Sequence, residues 1–301
     1  MADSVLIAVP RRERERPDTA RRVVTGTRDR DIVRFLLRFG AATSGQVRAA
    51  FGLSVNGGNR VLRRLFDARL ARRHGAMLTG SVSWHTQPVY TIGPQAALWA
   101  ADWDGVSLDE ARKRCQGDRT PTYLAHALSV VDLYLALKGG LDSQTGWTLR
   151  RFLVERECLD EMTVGSGKCT KRVVVRPDAV AVLRRASDGA LLCFSLESDR
   201  HNVRTRAFAH KAAAYRLYAE SGAFADAYPG ARCLRVLTVT GGDARIRTLA
   251  AAAHSAGAAS LFRFATRPAL ETHGFFGPVW HTETGTKEPL LSGLAAEGET
   301  T

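Results

Sequence analysis

The stretch from Thr27 to Ile92 constrains the fold more than any other part of the chain, because its apolar spacing changes period once and in one direction. Behind Thr27, an N-cap candidate, Ile32, Phe35, Leu36 and Phe39 recur at three- and four-residue intervals, and Gly40 stops the run. Thr43-Ser44-Gly45-Gln46 offers a second cap, followed by Val47, Ala50 and Phe51, with a stop at Gly52. A third helix is predicted from Ser54 through Val61, Leu62, Leu65, Phe66 and Leu70, with Asn59, Arg60, Arg63, Arg64 and Arg69 on its other face. The pattern then turns to alternation. Leu70–Arg73 predicts a strand, residues 75–87 a polar loop, and Val89–Ile92 a second strand.

Three helices with tight connections, the last of them amphipathic and basic, followed by a hairpin, have the order of a winged helix-turn-helix. The charge agrees with that order. Residues 1–80 hold 17 arginines, no lysine and 7 acidic residues, which is +10 of the chain's formal +13. A preference for Arg over Lys runs through the whole sequence, but it does not explain why acids are scarce in this segment. Localised positive charge is the footprint of a phosphate-neutralising protein, so double-stranded DNA is the expected partner. Asn59, Arg60, Arg63 and Arg64 are the candidates for groove and phosphate contacts, and Arg72, Arg73 and His85 for the wing. A winged helix used only for protein contacts is the alternative. Residues 1–26, with the mixed run Arg11–Pro17, predict a flexible basic arm that either adds phosphate contacts or is a solvated tail.

Several classes are excluded by composition. The five cysteines (Cys115, Cys158, Cys169, Cys193 and Cys233) form no C-x-x-C pair, which argues against a disulfide framework or a zinc ribbon. No run of about 18 apolar residues predicts a membrane span. Arginines rather than a cleavage site follow the short apolar run Val5–Val9, so the expected location is the cytoplasm.

Beyond a helix over residues 95–103, the segment 104–121 carries the boundary signals Asp104-Gly105, Gly117-Asp118 and Pro121. The second domain, 122–282, opens with a strongly apolar helix, Tyr123–Leu137. Strands are predicted over 147–154, 171–183 and 191–196, a helix over 203–219, a strand over 234–239, a helix over 243–256 and a last strand over 261–265. This α-β-β-β-α-β-α-β order predicts an α/β (α+β) domain with a mixed sheet. The tail 283–301 is small and polar and predicts disorder.

Within that domain, Pro177-Asp178 and Glu197-x-Asp199 place carboxylates on two neighbouring strands of one hairpin. Strand residues two apart share a face, so Glu197 and Asp199 point the same way. If Asp178 lies opposite, three oxygen ligands converge, and a hard divalent cation such as Mg²⁺ (with Mn²⁺ as substitute) is the natural compensation. Asp178 as a cap, Glu197 or Asp199 as ion-pair partners of Arg200, Arg204 or Arg206, Lys211 as a snorkelling side chain, and His126 as a core histidine are the bland alternatives. Glu155, at a strand end, is a second-tier candidate.

The arrangement resembles the PD-(D/E)xK nuclease core, in which Asp and Glu hold the metal and Lys assists. The resemblance implies metal ligation by Asp178, Glu197 and Asp199, and a catalytic role for these three with Lys211. Position 199 is Asp where that family has Lys, so Lys211 or Arg200 would supply the cation. Residues 27–265 also resemble the replication-relaxation family of plasmid and mobile-element proteins. That likeness rests on the N-terminal pattern, Tyr123–Leu128, Arg176-Pro177-Asp178, Leu196-Glu197-Ser198-Asp199-Arg200, Lys211 and Tyr215. In that family an E-x-D-R step is usual, which makes Asp199 a family trait. The resemblance implies a winged helix followed by a restriction-endonuclease-like domain, a role in plasmid replication, and plasmid replication or transfer proteins as partners. Two functions follow as expectations: a metal-dependent nickase, or a non-catalytic replication accessory or transcription regulator. An oligomeric state is not implied, because no heptad or other dimer signal is present.

Overall fold

The computed structural model describes residues 26–74, 87–116, 119–164, 170–200 and 203–292. The basic arm, most of the 75–87 loop with His85, Cys169 and the end of the tail lie outside them, and so does the Glu155 side chain. The chain divides into two compact units, up to Leu135 and from Ala136 onward.

The first unit opens with α1 (Thr27–Phe39), β1 (Ala42–Thr43), α2 (Ser44–Phe51), α3 (Val55–Asp67), β2 (Ala71–His74) and β3 (Val89–Ile92). Each helix start is set by a local hydrogen bond. Asp29 Oδ2 accepts from Gly26 N–H, Thr43 Oγ1 accepts from Gln46 N–H while Gln46 Oε1 accepts from Thr43 N–H, and Ser54 Oγ accepts from Gly57 N–H. Gly40 and Gly52 end α1 and α2 at positive φ. Ile32, Leu36, Val47, Leu62, Leu65 and Val89 are fully buried between these elements. The three strands form an antiparallel sheet in the order β1-β3-β2, with Ala42 opposite Tyr90 and Ala71 opposite Ile92. The two-residue strand β1 is too short for a period signal and was not expected from the sequence.

Arg69 turns the chain out of α3 at φ 58°, the one non-glycine residue at positive φ among the described residues. The end of β3 packs on this turn: Gly93 N–H donates to Leu70 O and Gln95 N–H to Arg69 O. A Cβ on Gly93 would lie 2.2 Å from Arg69 O and 2.7 Å from Leu70 C, both backbone atoms that cannot swing aside. Gly93→Ala is therefore expected to destabilise the protein by about 2–3 kcal/mol, at the upper end of overpacking costs. A urea midpoint indistinguishable from wild type would show that the contact is not made.

After a short 3-10 turn come α4 (Ala97–Asp104), α5 (Leu108–Gln116) and α6 (Pro121–Leu141). The segment expected to be a linker thus contains a helix, and the division falls inside α6, between Leu135 and Ala136. The physical reason is burial. Leu124, Ala127 and Leu128 of α6 pack against Ala41 and Val89, and Gln46 Nε2 donates to Leu128 O and to Asp132 Oδ1. By length and composition α6 is long and apolar enough to cross a membrane, contrary to expectation, but half of that stretch is buried inside the protein, as in a core helix.

In the second unit, β4 (Trp147–Val154), β5 (Asp160–Val164), β6 (Lys171–Val175), β7 (Ala179–Arg185) and β8 (Leu191–Ser198) precede α7 (Thr205–Glu220) and α8 (Ala223–Ala227). Then follow β9 (Ala231–Thr240), α9 (Asp243–Ser255), β10 (Phe262–Thr266), α10 (Arg267–His273), β11 (Pro278–His281) and β12 (Lys287–Pro289). Seven strands form one mixed sheet in the order β12-β11-β10-β9-β8-β7-β4, with β8, β9 and β10 parallel and the others antiparallel. One core cluster unites Val180, Cys193 and Val236 of the sheet with Tyr215 of α7, Leu249 of α9 and Phe262.

Two expectations change here. The predicted strand 171–183 is two strands, because the Pro177-Asp178 step breaks it: β6 pairs with β5 in a separate two-stranded ribbon, and only β7 joins the main sheet. The tail is structured as far as residue 292, with Pro278 opposite Pro289 and Trp280 opposite Glu288.

Candidate functional site

The candidate site stands at one end of the β7–β8 pair. Ala179 lies opposite Leu196, so Asp178 and Glu197 meet where the hairpin strands open. Asp178 is fixed there by backbone on both sides: its N–H donates to Leu196 O at 3.1 Å, and its Oδ2 accepts from Ser198 N–H at 2.8 Å. Proline at 177 ends β6 and sets up this turn, and Cys158 Sγ lies 3.5 Å from Pro177 O beneath it.

Glu197 is 5% exposed. Its Oε1 accepts from the Tyr215 hydroxyl at 2.6 Å, and its Oε2 is ion-paired with Lys211 Nζ. Both partners come from α7, four residues apart, and therefore from one helical face. Burial pushes the Glu197 carboxyl up to about 7; Lys211 opposes the shift and Asp178 adds to it. Burial works against the Lys211 cation, but the attraction of Glu197 and Asp178 outweighs it and leaves its pKa raised. The Tyr215 phenol is held protonated by burial and by the Glu197 carboxylate.

Asp199 does not join them. Its carboxylate takes a two-pronged contact from Arg245 (Nε to Oδ2 at 2.8 Å, Nη2 to Oδ1 at 2.9 Å), and Thr240 Oγ1 donates to Oδ2. The face-sharing argument holds as far as β8 runs. Just past its end, Arg245 at the start of α9 captures the carboxylate. Of the predicted cations, Lys211 reaches the site; Arg200 lies one residue beyond Asp199, near Arg267.

Among the described residues, no group of three or more His, Cys, Asp or Glu side chains is arranged to hold a metal ion. Asp178 and Glu197 offer two carboxylates, a donor set that suits a magnesium ion retaining waters and taking further oxygens from substrate phosphates. The fit is to that kind of site and not to a three-carboxylate cage. Tyr215 is the residue that reasoning from spacing undervalued. Its signal was its place one turn after Lys211.

In the first unit, α3 exposes Val55, Asn56, Asn59, Arg60 and Arg63. Arg63 makes an i,i+4 pair with Asp67 at 3.0 Å but stays exposed on this face. Arg64 turns inward: its Nη2 bonds Asp29 Oδ1 at 2.5 Å, and Asp29 is buried at the first turn of α1. It is a tie between α1 and α3 and not part of the exposed row. Arg73 is exposed and Arg72 half-buried on β2.

No curated protein and no solved structure matches this sequence. The sequence profile described as replication-relaxation does match, over residues 33–231, a span from α1 through the Asp178–Glu197–Lys211 cluster to the start of β9. That match covers well over half of the chain, and the protein belongs to the replication-relaxation family.

Proposed function

We propose that this is a DNA-binding protein of plasmid or mobile-element replication, in which a winged helix brings a PD-(D/E)xK-like domain to duplex DNA, where it nicks one strand. The observation that carries the reading is the meeting of Asp178, Glu197 and Lys211 at the open end of one hairpin, in a chain that also presents Asn59, Arg60 and Arg63 on the outer face of α3. Asp178 and Glu197 would hold a divalent ion, which when bound polarises a phosphodiester and lowers the pKa of water. Lys211 keeps a positive charge beside the carboxylates, and Tyr215 fixes the orientation of Glu197. Arg60, Arg63 and Arg73 contribute phosphate contacts, and Asn59 a base-edge contact.

Incubating supercoiled plasmid with the full chain and Mg²⁺ or Mn²⁺ tests this. Nicked product is expected, falling about 10³-fold or more in Asp178→Ala and Glu197→Gln, with DNA binding unchanged in both. Binding without nicking under either metal removes the catalytic step.

A second reading, a non-catalytic replication accessory or regulator on a nuclease-like fold, is favoured by one observation: both Glu197 oxygens already have protein partners. It predicts that plasmid maintenance survives Glu197→Gln.

A further inference from the structure

Besides the row that α3 presents, the first unit has a second basic face. Arg30, Arg34 and Arg38 stand at four-residue steps on α1, about 6 Å apart along its axis, and all three are exposed. Against them α4 sets Trp99 and Trp103, also four residues apart, with ring centroids 5.8 Å from each other. The two series match rung for rung. The Arg30 guanidinium lies over Trp99 at 5.8 Å and that of Arg34 over Trp103 at 4.7 Å. Thr27, Arg30, Asp31, Arg34 and Trp103 line an open groove of about 200 Å³, far larger than a water site. Both indoles are half-buried, and Leu98 beside them is 65% exposed.

Each part of this face narrows the ligand. A guanidinium held over an indole is oriented in advance and keeps N–H edges for an anion. Of the four acids on α1 and α4, Asp29 and Asp104 are ion-paired with Arg64 and Arg114, which leaves Asp31 and Asp102 against three arginines. The face is therefore positive, and Asp31 in the groove is an acceptor for the exocyclic amines of bases. A duplex presents phosphates but keeps its bases stacked, so it would leave the rings and Leu98 uncovered. An unpaired strand offers both phosphates and bases, and bases stack on aromatic rings and on guanidinium planes.

We propose that α1 and α4 form a binding face for an unpaired nucleic-acid strand, in which Arg30 and Arg34 hold phosphates while Trp99 and Trp103 stack bases. The face stands on these residues alone; that the strand is DNA released by nicking rests on the function proposed above.

Titrating the full chain with oligothymidylate at several salt concentrations, followed by anisotropy of the labelled strand and by tryptophan fluorescence, tests it. To keep α3 from dominating the signal, Arg60→Ala/Arg63→Ala serves as the background. That background should bind the strand with quenched emission, because stacked bases quench indoles. Adding Arg30→Gln/Arg34→Gln should lower the salt slope by about 1.4, the value for two lost contacts to a single strand. Adding Trp99→Ala/Trp103→Ala instead should weaken binding about 30-fold and remove the quenching, as two stacked bases are lost. No binding in the background, or both variants binding as it does, overturns the face and leaves it to a protein partner. A salt slope that falls while the tryptophan variant binds unchanged overturns the unpaired strand in favour of duplex backbone. Absence of duplex binding by wild type overturns the function proposed above and leaves the oligothymidylate result to decide the face. If the alanine variant unfolds, Trp99→Phe/Trp103→Phe, which keeps a ring at each place, should keep the affinity while losing the quenching. Quenching that persists in it overturns the stack.

Discussion

Replacing Arg245 with methionine is expected to destabilise the protein by about 3–5 kcal/mol, the cost of leaving a buried carboxylate without its counter-ion. The Asp199 side chain is 4% exposed and that of Arg245 13%, so solvent screens the pair little. With the guanidinium gone, only Thr240 among the contacts described above would still donate to Asp199. The Arg245 bond to Val203 O at 2.6 Å would go as well, loosening the approach to α7. Removing both charges, as in Asp199→Leu/Arg245→Met, should recover much of the loss, since a buried pair replaced by apolar groups is often neutral. Urea denaturation of the two variants and wild type measures this. A single-variant loss below about 1 kcal/mol would mean that water reaches the pair.

The second large effect concerns pH and Glu197. Its carboxyl is raised from 4.5 to about 7, so between these values the folded protein holds a proton that the unfolded chain releases. Its contribution to stability is therefore full below about pH 4.5 and is lost as the pH climbs through 7. Glu197→Gln should flatten this decline, because the amide fills the same space without ionising. Lys211→Met should steepen it. The penalty should be small near pH 5, where Glu197 can stay protonated, and near about 3 kcal/mol at pH 8, where an uncompensated buried charge remains. The lower end of the usual range applies because the Lys211 side chain is 34% exposed. Urea midpoints across this pH range decide it; equal losses for Lys211→Met at every pH would show that Glu197 does not titrate there.

Local signals made most of the fold legible. Gly40 and Gly52 as stops and Thr43 and Ser54 as caps act within one turn of chain, and the structure uses all four. Val89–Ile92 and Trp147–Val154 have the expected bounds. What was missed depended on distant partners. Strand β1 exists because Ala42 and Thr43 find Tyr90 and Val89. Strand β12 likewise exists through β11, within a tail whose composition reads as disordered. The site shows the same division. That Asp178 and Glu197 come together follows from their places on one hairpin, whereas the pairing of Asp199 with Arg245 depends on a residue 46 positions away. Arg64 left the exposed row for a partner 35 positions earlier, which helical periodicity cannot register.

Lys211 and Tyr215 ride on one face of α7, and both end on Glu197. A turn of that helix about its own axis would withdraw the ammonium and the phenol together, since four residues are barely more than one revolution. Charge at Glu197 is therefore coupled to the rotational phase of a single element: the carboxylate reports how α7 is seated, and whatever reseats α7 resets the proton.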